Sequence, residues 1–204
     1  MTRRIVAAFR GAGGQVFLAD SGKGTAFRDL QGQPGVRRAV AKTDIAAMVD
    51  EVVVELLDRF ARWQDDPALT FEPLLLVLEE AFVLLSADSG RDEAAKADQA
   101  LTARLRDAVA KVALMGREAK CFLCCAPQRG DASLFNLATR DQLGMRVLLL
   151  RNCKESTAEL ALELPRSALV PGREPPCRIR DLQPLPGRVL VEANGQVQLA
   201  QVSL

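Results

Sequence analysis

Three pairs of polar residues in this 204-residue sequence follow short apolar segments that have the composition of buried strands. They are Asp20 with Lys23, Glu79 with Glu80, and Gln128 with Arg129. Ligands of open parallel sheets bind at the carboxyl ends of the strands, so these residues are candidates for a binding site. One carboxylate at such an end can hold Mg²⁺, a second can activate a water molecule, and a glutamine or arginine can stabilise a phosphate. Each pair also has a simpler interpretation, because a polar residue after a buried strand can merely mark where the chain reaches water.

Apolar patterns predict the elements that would position these residues. Strands are expected at residues 15–20, 74–78, 121–126 and 146–150. Residues 74–78 are apolar on both faces, which is typical of a strand that helices cover on both sides. Two helices are predicted by apolar side chains at three-and-four spacing. The first would bury Ile45, Met48, Val49, Val52, Val53, Leu56, Leu57 and Phe60, and the second Leu101, Leu105, Ala108, Val112 and Met115.

The alternation of strands and helices predicts an α/β fold, with a mostly parallel sheet built from βαβ crossovers and flanked by helices. Thr43 is the expected N-cap of the first helix. Two apolar segments around Asn194-Gly195, a strong type I′ turn signal, predict a C-terminal β-hairpin. Residues 165–186 are rich in proline and predict a connection without regular structure. We expect residues 1–204 to form a single domain.

Composition excludes several classes of protein. The formal net charge of +1 offers no overall attraction to DNA or to an anionic membrane, so either would need a local basic surface. The sequence has no histidine, which excludes Ser-His-Asp and Cys-His catalysis. No segment approaches the ~20 apolar residues of a membrane span, and the N-terminal apolar stretch is too short for a signal peptide. We therefore expect a cytoplasmic protein. The candidate basic surfaces are Arg3, Arg4, Arg10, Arg37, Arg38 and Lys42, or Arg173, Arg178, Arg180 and Arg188.

The five cysteines include a C-x-x-C at Cys121 and Cys124. Such a pair can bind zinc or act as a redox centre. Here the sequence offers no second ligand pair, and strand alternation would point the two thiols to opposite faces of the sheet. Buried core cysteines are therefore expected.

Taken in order, these segments resemble the motor domain of FtsK/SpoIIIE-type ATPases, of the HerA/FtsK clade. Residues 74–80 resemble a Walker B strand. Residues 116–130, GREAKCFLCCAPQRG, resemble the signature G-R-x-x-G-[IV]-H-hhh-A-T-Q-R-P, with the spacing from Gly-Arg to Gln-Arg kept. Residues 16–27 are similar to the second strand and D-P-K-G turn of the family. Residues 146–160 resemble its strand and Ser-rich turn before a short helix, and residues 187–191 resemble the hairpin that closes the motor core. The resemblance covers nearly the whole chain.

This resemblance implies a RecA-like fold and ATP-driven translocation of double-stranded DNA by a hexamer, with ATP and Mg²⁺ as cofactors. Glu80 would be the catalytic glutamate, and Glu79 would stand where a metal-associated aspartate is usual. Gln128 would lie beside the γ-phosphate, and Arg117 would contact the nucleotide of a neighbouring subunit. The other candidate cofactor-binding residues are Asp20, Lys23 and Arg129.

The phosphate loop is where the sequence departs most from the family. In a Walker A motif, G-x-x-x-x-G-K-[ST], backbone N–H groups and the lysine hold the phosphates. The only Gly-Lys pair here, Gly22-Lys23, is followed by Gly24, and Phe17 stands where the first glycine is required. The motif is therefore absent. Smaller departures fall at Glu79, Lys120, Phe122, Pro127 and Gly130.

Two explanations of the missing loop stay open. The chain is part of a longer ATPase, or it is a degenerate relative that serves as a non-catalytic DNA-binding or scaffold subunit. In both cases we expect it to be inactive alone, unless a partner supplies the loop. A third interpretation is an unrelated α/β domain with no nucleotide history.

Overall fold

The computed structural model describes residues 2–22, 24–126, 139, 141–149, 188–193 and 196–201. The chain divides into two compact units, Met1–Gln128 and Arg129–Leu204. That all 204 residues form one RecA-like domain stays a prediction. The proline-rich connection at residues 165–186 and the Asn194-Gly195 turn lie outside the described residues.

The first unit contains a four-stranded parallel sheet in the order β2-β1-β3-β4. Its strands are β1 (Gln15–Asp20), β2 (Val36–Ala39), β3 (Leu74–Glu79) and β4 (Cys121–Ala126). The predicted α/β fold and parallel sheet are confirmed. Strand β2 was not expected from sequence, because four residues that include two arginines carry little β-propensity of their own.

Four helices belong to this unit: α1 (Thr2–Gly11), α2 (Lys42–Asp65), α3 (Ala81–Leu85) and α4 (Glu93–Met115). Sequence patterns predict α2 and α4 but neither α1 nor α3. The expected N-cap at Thr43 is wrong, because α2 begins at Lys42 with Ala41 before it and no capping side chain. Tertiary contacts extend this helix end, since Lys42 Nζ donates to Asp98 Oδ1 at 2.6 Å and to Thr102 Oγ1 at 2.7 Å.

The central strand β3 is buried along its length, as its apolar sequence predicts. Its side chains alternate between the two faces of the sheet. One face, beneath α1, contributes to a cluster of Val6, Val16, Leu18, Phe27, Leu75 and Val77. Leu74, Leu76 and Leu78 point to the opposite face and are equally buried. The stripe of α2 is buried as predicted at Ile45, Met48, Val49, Val52 and Leu56, whereas Leu57 is 46% exposed.

The second unit contains an antiparallel sheet of β5 (Met145–Leu149), β6 (Arg188–Ala193) and β7 (Gln196–Gln201). Strands β6 and β7 form the predicted C-terminal hairpin, with Ala193 opposite Gln196. The strand at β5 is confirmed, but its expected place in the parallel sheet is wrong. It pairs with β6 instead, where the Arg146 and Glu192 side chains lie 3.9 Å apart. Apolar composition specifies a strand but not its neighbour.

Among the described residues, the helices include none with the length and apolar character needed to span a membrane.

Candidate active site

The carboxyl ends of β1 and β3 bring two of the predicted carboxylates together. The register of the two strands places Asp20 directly beside Glu79. Alternation puts both side chains on the face that α1 covers, since Leu18 and Val77 of that face are each two residues earlier. Glu80 follows at once, so three carboxylates meet at this edge of the sheet. Because the three negative charges repel one another, the chemistry of the site depends on which groups stabilise each carboxylate.

Asp20 is compensated by a buried arginine of β2. The Asp20 side chain is 2% exposed and that of Arg38 is 5% exposed, with Arg38 Nη2 and Asp20 Oδ2 2.7 Å apart. The same guanidinium donates to the backbone oxygen of Gly24 and to Gln31 Oε1, at 2.5 and 3.0 Å. The carboxylate predicted to bind cofactor is therefore held within an internal ion pair.

Arg38, which the sequence predicts to lie on a basic surface, instead lies buried in this site. Its neighbour Arg37 behaves as expected for the surface and pairs with Glu51 on the exposed side of α2. One feature of the sequence could have indicated this position for Arg38. In a strand formed by residues 36–39, side chains alternate between faces, so Arg37 and Arg38 must lie on opposite faces. Identifying the partner of Arg38 also requires the register of β2 against β1, which is not a local property.

Glu79 is the carboxylate without compensation. Its Oε2 atom is buried and has no hydrogen-bond partner in the described part of the chain. Burial raises the pKa of Glu79 above its usual value of 4.5, and the charges of Asp20 and Glu80 raise it further. A bound cation would relieve both effects, because positive charge favours the ionised carboxylate.

We expect the Glu79→Gln variant to be more stable than the wild type at neutral pH, by up to roughly 1 kcal/mol. A raised pKa in the folded state means that the folded protein holds this proton more tightly than the unfolded chain does. Wild-type stability therefore falls as the pH rises from 4.5 through the raised pKa, and is constant above it. Urea unfolding between pH 4 and 8 measures both effects. Glu93→Gln, at an exposed carboxylate of α4, is the control and should leave the pH dependence unchanged.

Glu80 occupies an unusual backbone conformation between β3 and α3. Its φ of 52° and ψ of 45° lie in the left-handed region, which residues other than glycine seldom adopt. Its carboxylate lies against Gly22, where an added Cβ would overlap it. Strained residues of this kind cluster at active sites, although strain alone does not identify one.

Arg117 lies far along the strand from these carboxylates. It belongs to the turn before β4, whereas Glu79 pairs with Ala126 at the other end of that strand. Its side chain is 90% exposed, with Nε 3.4 Å from Glu118 Oε1. The structure therefore does not bring Arg117 to the site of its own chain, and its contact with a neighbouring subunit stays a prediction.

The remaining predicted site residues, Lys23, Gln128 and Arg129, lie outside the described residues. Within the part that is described, no three or more Asp, Glu, Cys or His side chains are arranged to bind a metal ion. A metal at this edge would therefore need ligands beyond these carboxylates.

Of the three cysteines of β4, Cys121 is buried as expected, whereas Cys124 and Cys125 are only half-buried. Cys121 is buried, and Cys124 packs against the cluster beneath α1. Burial raises the pKa of each of these thiols to about 11, so neither is ionised at neutral pH. The charge of Arg59 of α2 lowers the pKa of Cys121, whereas the charge of Glu79 raises the pKa of Cys124, as expected for thiols on opposite faces of the sheet. Such thiols are poor nucleophiles.

The first candidate basic surface is largely neutralised. Arg3 pairs with Asp29, Arg37 with Glu51, Arg38 with Asp20, and Lys42 with Asp98. Residues 173, 178 and 180 of the second candidate surface lie outside the described residues, as does the side chain of Arg188.

The fold resembles solved structures of ATPases, although no protein-family model and no curated protein matches the sequence. A structure of the pCW3 conjugation coupling protein TcpA, in its monomer form with ATPγS, has a TM-score of 0.72 at 17% identity and covers 93% of this chain. The cytoplasmic domain of the Thermomonospora curvata type VII secretion ATPase EccC and ATPases 2 and 3 of Geobacillus thermodenitrificans EssC each have a TM-score of 0.58, at 18% and 15% identity. Each of these matches also covers 93% of this chain.

The matched regions are parts of longer proteins. The chain spans 52% of the TcpA structure, 22% of the EccC structure and 34% of the EssC structure. At these identities the similarity establishes the fold alone, an α/β fold with RecA-like neighbours.

Proposed function

We propose that this chain carries the carboxylate side of the ATP site of a DNA-translocating ATPase of FtsK/SpoIIIE type. The observation that carries the proposal is that Glu79, beside Glu80 at the carboxyl edge of the parallel sheet, has a buried Oε2 atom without a hydrogen-bond partner among the described residues. The fold resembles that of TcpA, a protein solved with ATPγS. The phosphate loop, absent from these 204 residues, comes from a further segment of the protein or from a partner.

Glu79 and Glu80 divide the chemistry between them. Mg²⁺ in nucleotide sites takes one or two carboxylates and completes its shell with phosphates and water. Glu79, whose buried Oε2 lacks a hydrogen bond among the described residues, suits this role. Glu80 is the general base that accepts a proton from the attacking water. Because Asp20 is paired with Arg38, its role is to hold the edge of the sheet together rather than to bind the metal.

Helix α1 gives this proposal further support. In the family, the Walker A strand and its helix come immediately before the strand that β1 resembles, and α1 has that position in the chain order. It is anchored by Val6, which is 1% exposed, and by an edge-to-face contact of Phe9 with Phe122 at 5.3 Å. A phosphate loop joined ahead of α1 would meet a helix that is already packed on the sheet.

The first test asks whether the carboxyl edge contacts a metal–nucleotide complex. We expect Mn²⁺·ATP to broaden the amide NMR signals of Ser21, Glu80 and Ala81 in the wild-type chain, because a paramagnetic ion detects even millimolar affinity. Glu79→Gln should abolish the broadening, and Glu93→Gln should retain it. Broadening that is absent from the wild type, or unchanged in Glu79→Gln, would contradict the proposal.

The second test concerns turnover. Alone, the chain should hydrolyse no Mg²⁺·ATP above background, with or without duplex DNA. Joined behind a designed strand and G-x-x-x-x-G-K-[ST] loop, it should gain an ATPase activity that Glu80→Gln lowers by about 10²-fold or more. An activity of the fusion that is insensitive to Glu80→Gln argues against the assigned role of this residue.

A non-catalytic DNA-binding subunit is the alternative, favoured by the missing phosphate loop. It requires binding of duplex DNA that weakens with salt and needs no nucleotide. Retention of that binding in Glu80→Gln, without any response to Mn²⁺·ATP at the carboxyl edge, would select this alternative. A chain that binds neither DNA nor nucleotide would exclude both functions.

A further inference from the structure

We propose that Gly22 is a positioning residue for Glu80, and that it sets where the Glu80 carboxylate lies at the edge of the sheet. The catalytic meaning of this contact rests on the function proposed above. The contact itself is a property of the folded chain and can be tested without nucleotide.

Space, rather than backbone conformation, is what requires a glycine at position 22. An ideal Cβ built there would overlap Oε2 and Cδ of Glu80 and would lie 2.9 Å from Oε1. Gly24, two residues later, has a φ of +60°, whereas Gly22 lies outside the left-handed region. An alanine is therefore compatible with the backbone at position 22, but not with the carboxylate in its present place.

The turn that carries Gly22 is tied to the sheet on both sides. Ser21 Oγ donates to the backbone oxygen of Glu79 at 2.9 Å, which joins the turn to the end of β3. Arg38 Nη2 donates to the backbone oxygen of Gly24 at 2.5 Å and pairs with Asp20. With these anchors the turn cannot easily retreat from an added methyl group. The Glu80 side chain must move instead.

The backbone of Glu80 is equally constrained. Glu79, the residue before it, is paired with Asp20 of the neighbouring strand β1. Ala81, the residue after it, is fully buried at the start of α3. These neighbours hold Glu80 in the left-handed conformation, which directs its side chain toward the turn. The side chain meets the turn at Gly22, where the absence of a Cβ leaves room for the carboxylate. Gly22 and Glu80 therefore form a matched pair.

The test compares Gly22→Ala with Gly11→Ala, a substitution at the end of α1 where a Cβ meets nothing within 4 Å. In a chain labelled with ¹³C-carboxyl glutamate, the Glu80 signal is assigned by its loss in Glu80→Gln. Gly22→Ala should shift this signal, whereas Gly11→Ala should leave it in place.

A thermodynamic cycle supplies the second readout. Gly22→Ala should lower the urea midpoint in the wild type, should lower it less in the Glu80→Asp background, and should leave it unchanged in the Glu80→Ala background. An unmoved Glu80 signal, or an equal midpoint loss in the Glu80→Ala background, overturns the proposal. Neither readout involves ATP, so failure of the nucleotide site and failure of this contact give different results.

Discussion

Replacing Arg38 with alanine lowers the free energy of unfolding by about 3–5 kcal/mol, the largest loss that we expect from a single charged residue of this chain. The substitution leaves the Asp20 carboxylate, 2% exposed, without its cation. It also removes the hydrogen bonds to Gly24 and Gln31. An isolated charge in such a place cannot regain its hydration, and Glu79 beside it adds repulsion. Urea unfolding at pH 7 measures the loss.

Arg37 provides a matched control on the same strand. Its ion pair with Glu51 joins side chains that are 56% and 48% exposed, so Arg37→Ala should cost less than about 1 kcal/mol. The double variant Arg38→Met/Asp20→Asn should recover most of the loss of Arg38→Ala, because it removes both buried charges together. If Arg38→Ala costs no more than Arg37→Ala, the pair is not buried as described.

Replacing Gly116 with alanine lowers the free energy of unfolding by about 3 kcal/mol, at the upper end of the range for overpacking. Gly116 follows α4 in the tight turn to β4, where Cys121 N donates to the Gly116 backbone oxygen at 2.8 Å. An added Cβ would overlap the carbonyl oxygen of Cys121 and would lie 3.1 Å from its carbonyl carbon. These are backbone atoms of a paired strand, so relief of the clash must displace β4 itself.

The matched substitution for Gly116→Ala is again Gly11→Ala, which adds a methyl group in open space. It should change stability by less than about 0.5 kcal/mol, and in the stabilising direction if at all, since alanine is the better helix former. Both variants are measured by urea unfolding. Equal stability of the two alanine variants would show that the turn after α4 is looser than the structure indicates.

The two glycines also explain part of the motif resemblance in physical terms. Gly116 begins the segment that resembles the Gly-Arg signature, and it is required by the approach of two backbone segments. Gly22 belongs to the segment that resembles the D-P-K-G turn, and it is required by a carboxylate. The spacing of both glycines was visible in the sequence, but the structural reason why each position requires glycine was not. Each reason depends on atoms that are distant along the chain or belong to another strand.

Strand β3 shows what local sequence can determine. Five consecutive apolar residues after Pro73 suit a short strand that is covered on both faces, and the structure buries each of them. The stripe of α2 was visible for a similar reason, because three-and-four spacing defines one side of a helix. Helix α1 was not predicted, since its short apolar run at residues 5–9 is buried only by packing on the sheet, where Val6 joins Val16 and Leu75 in one cluster and Phe9 contacts Phe122.

The sequence alone identified β1, β3 and β4 as three of the four strands of the parallel sheet, and placed Asp20, Glu79 and Glu80 at the ends of strands. Periodicity records which face of each element is buried, and this information is local. Only the tertiary structure decided that Asp20 is paired with Arg38, that Glu79 Oε2 is buried without a hydrogen bond from the residues that the structure describes, and that Glu80 lies against Gly22. Those outcomes depend on the lateral order and register of the strands, which minimise the free energy of the whole sheet rather than that of any one segment.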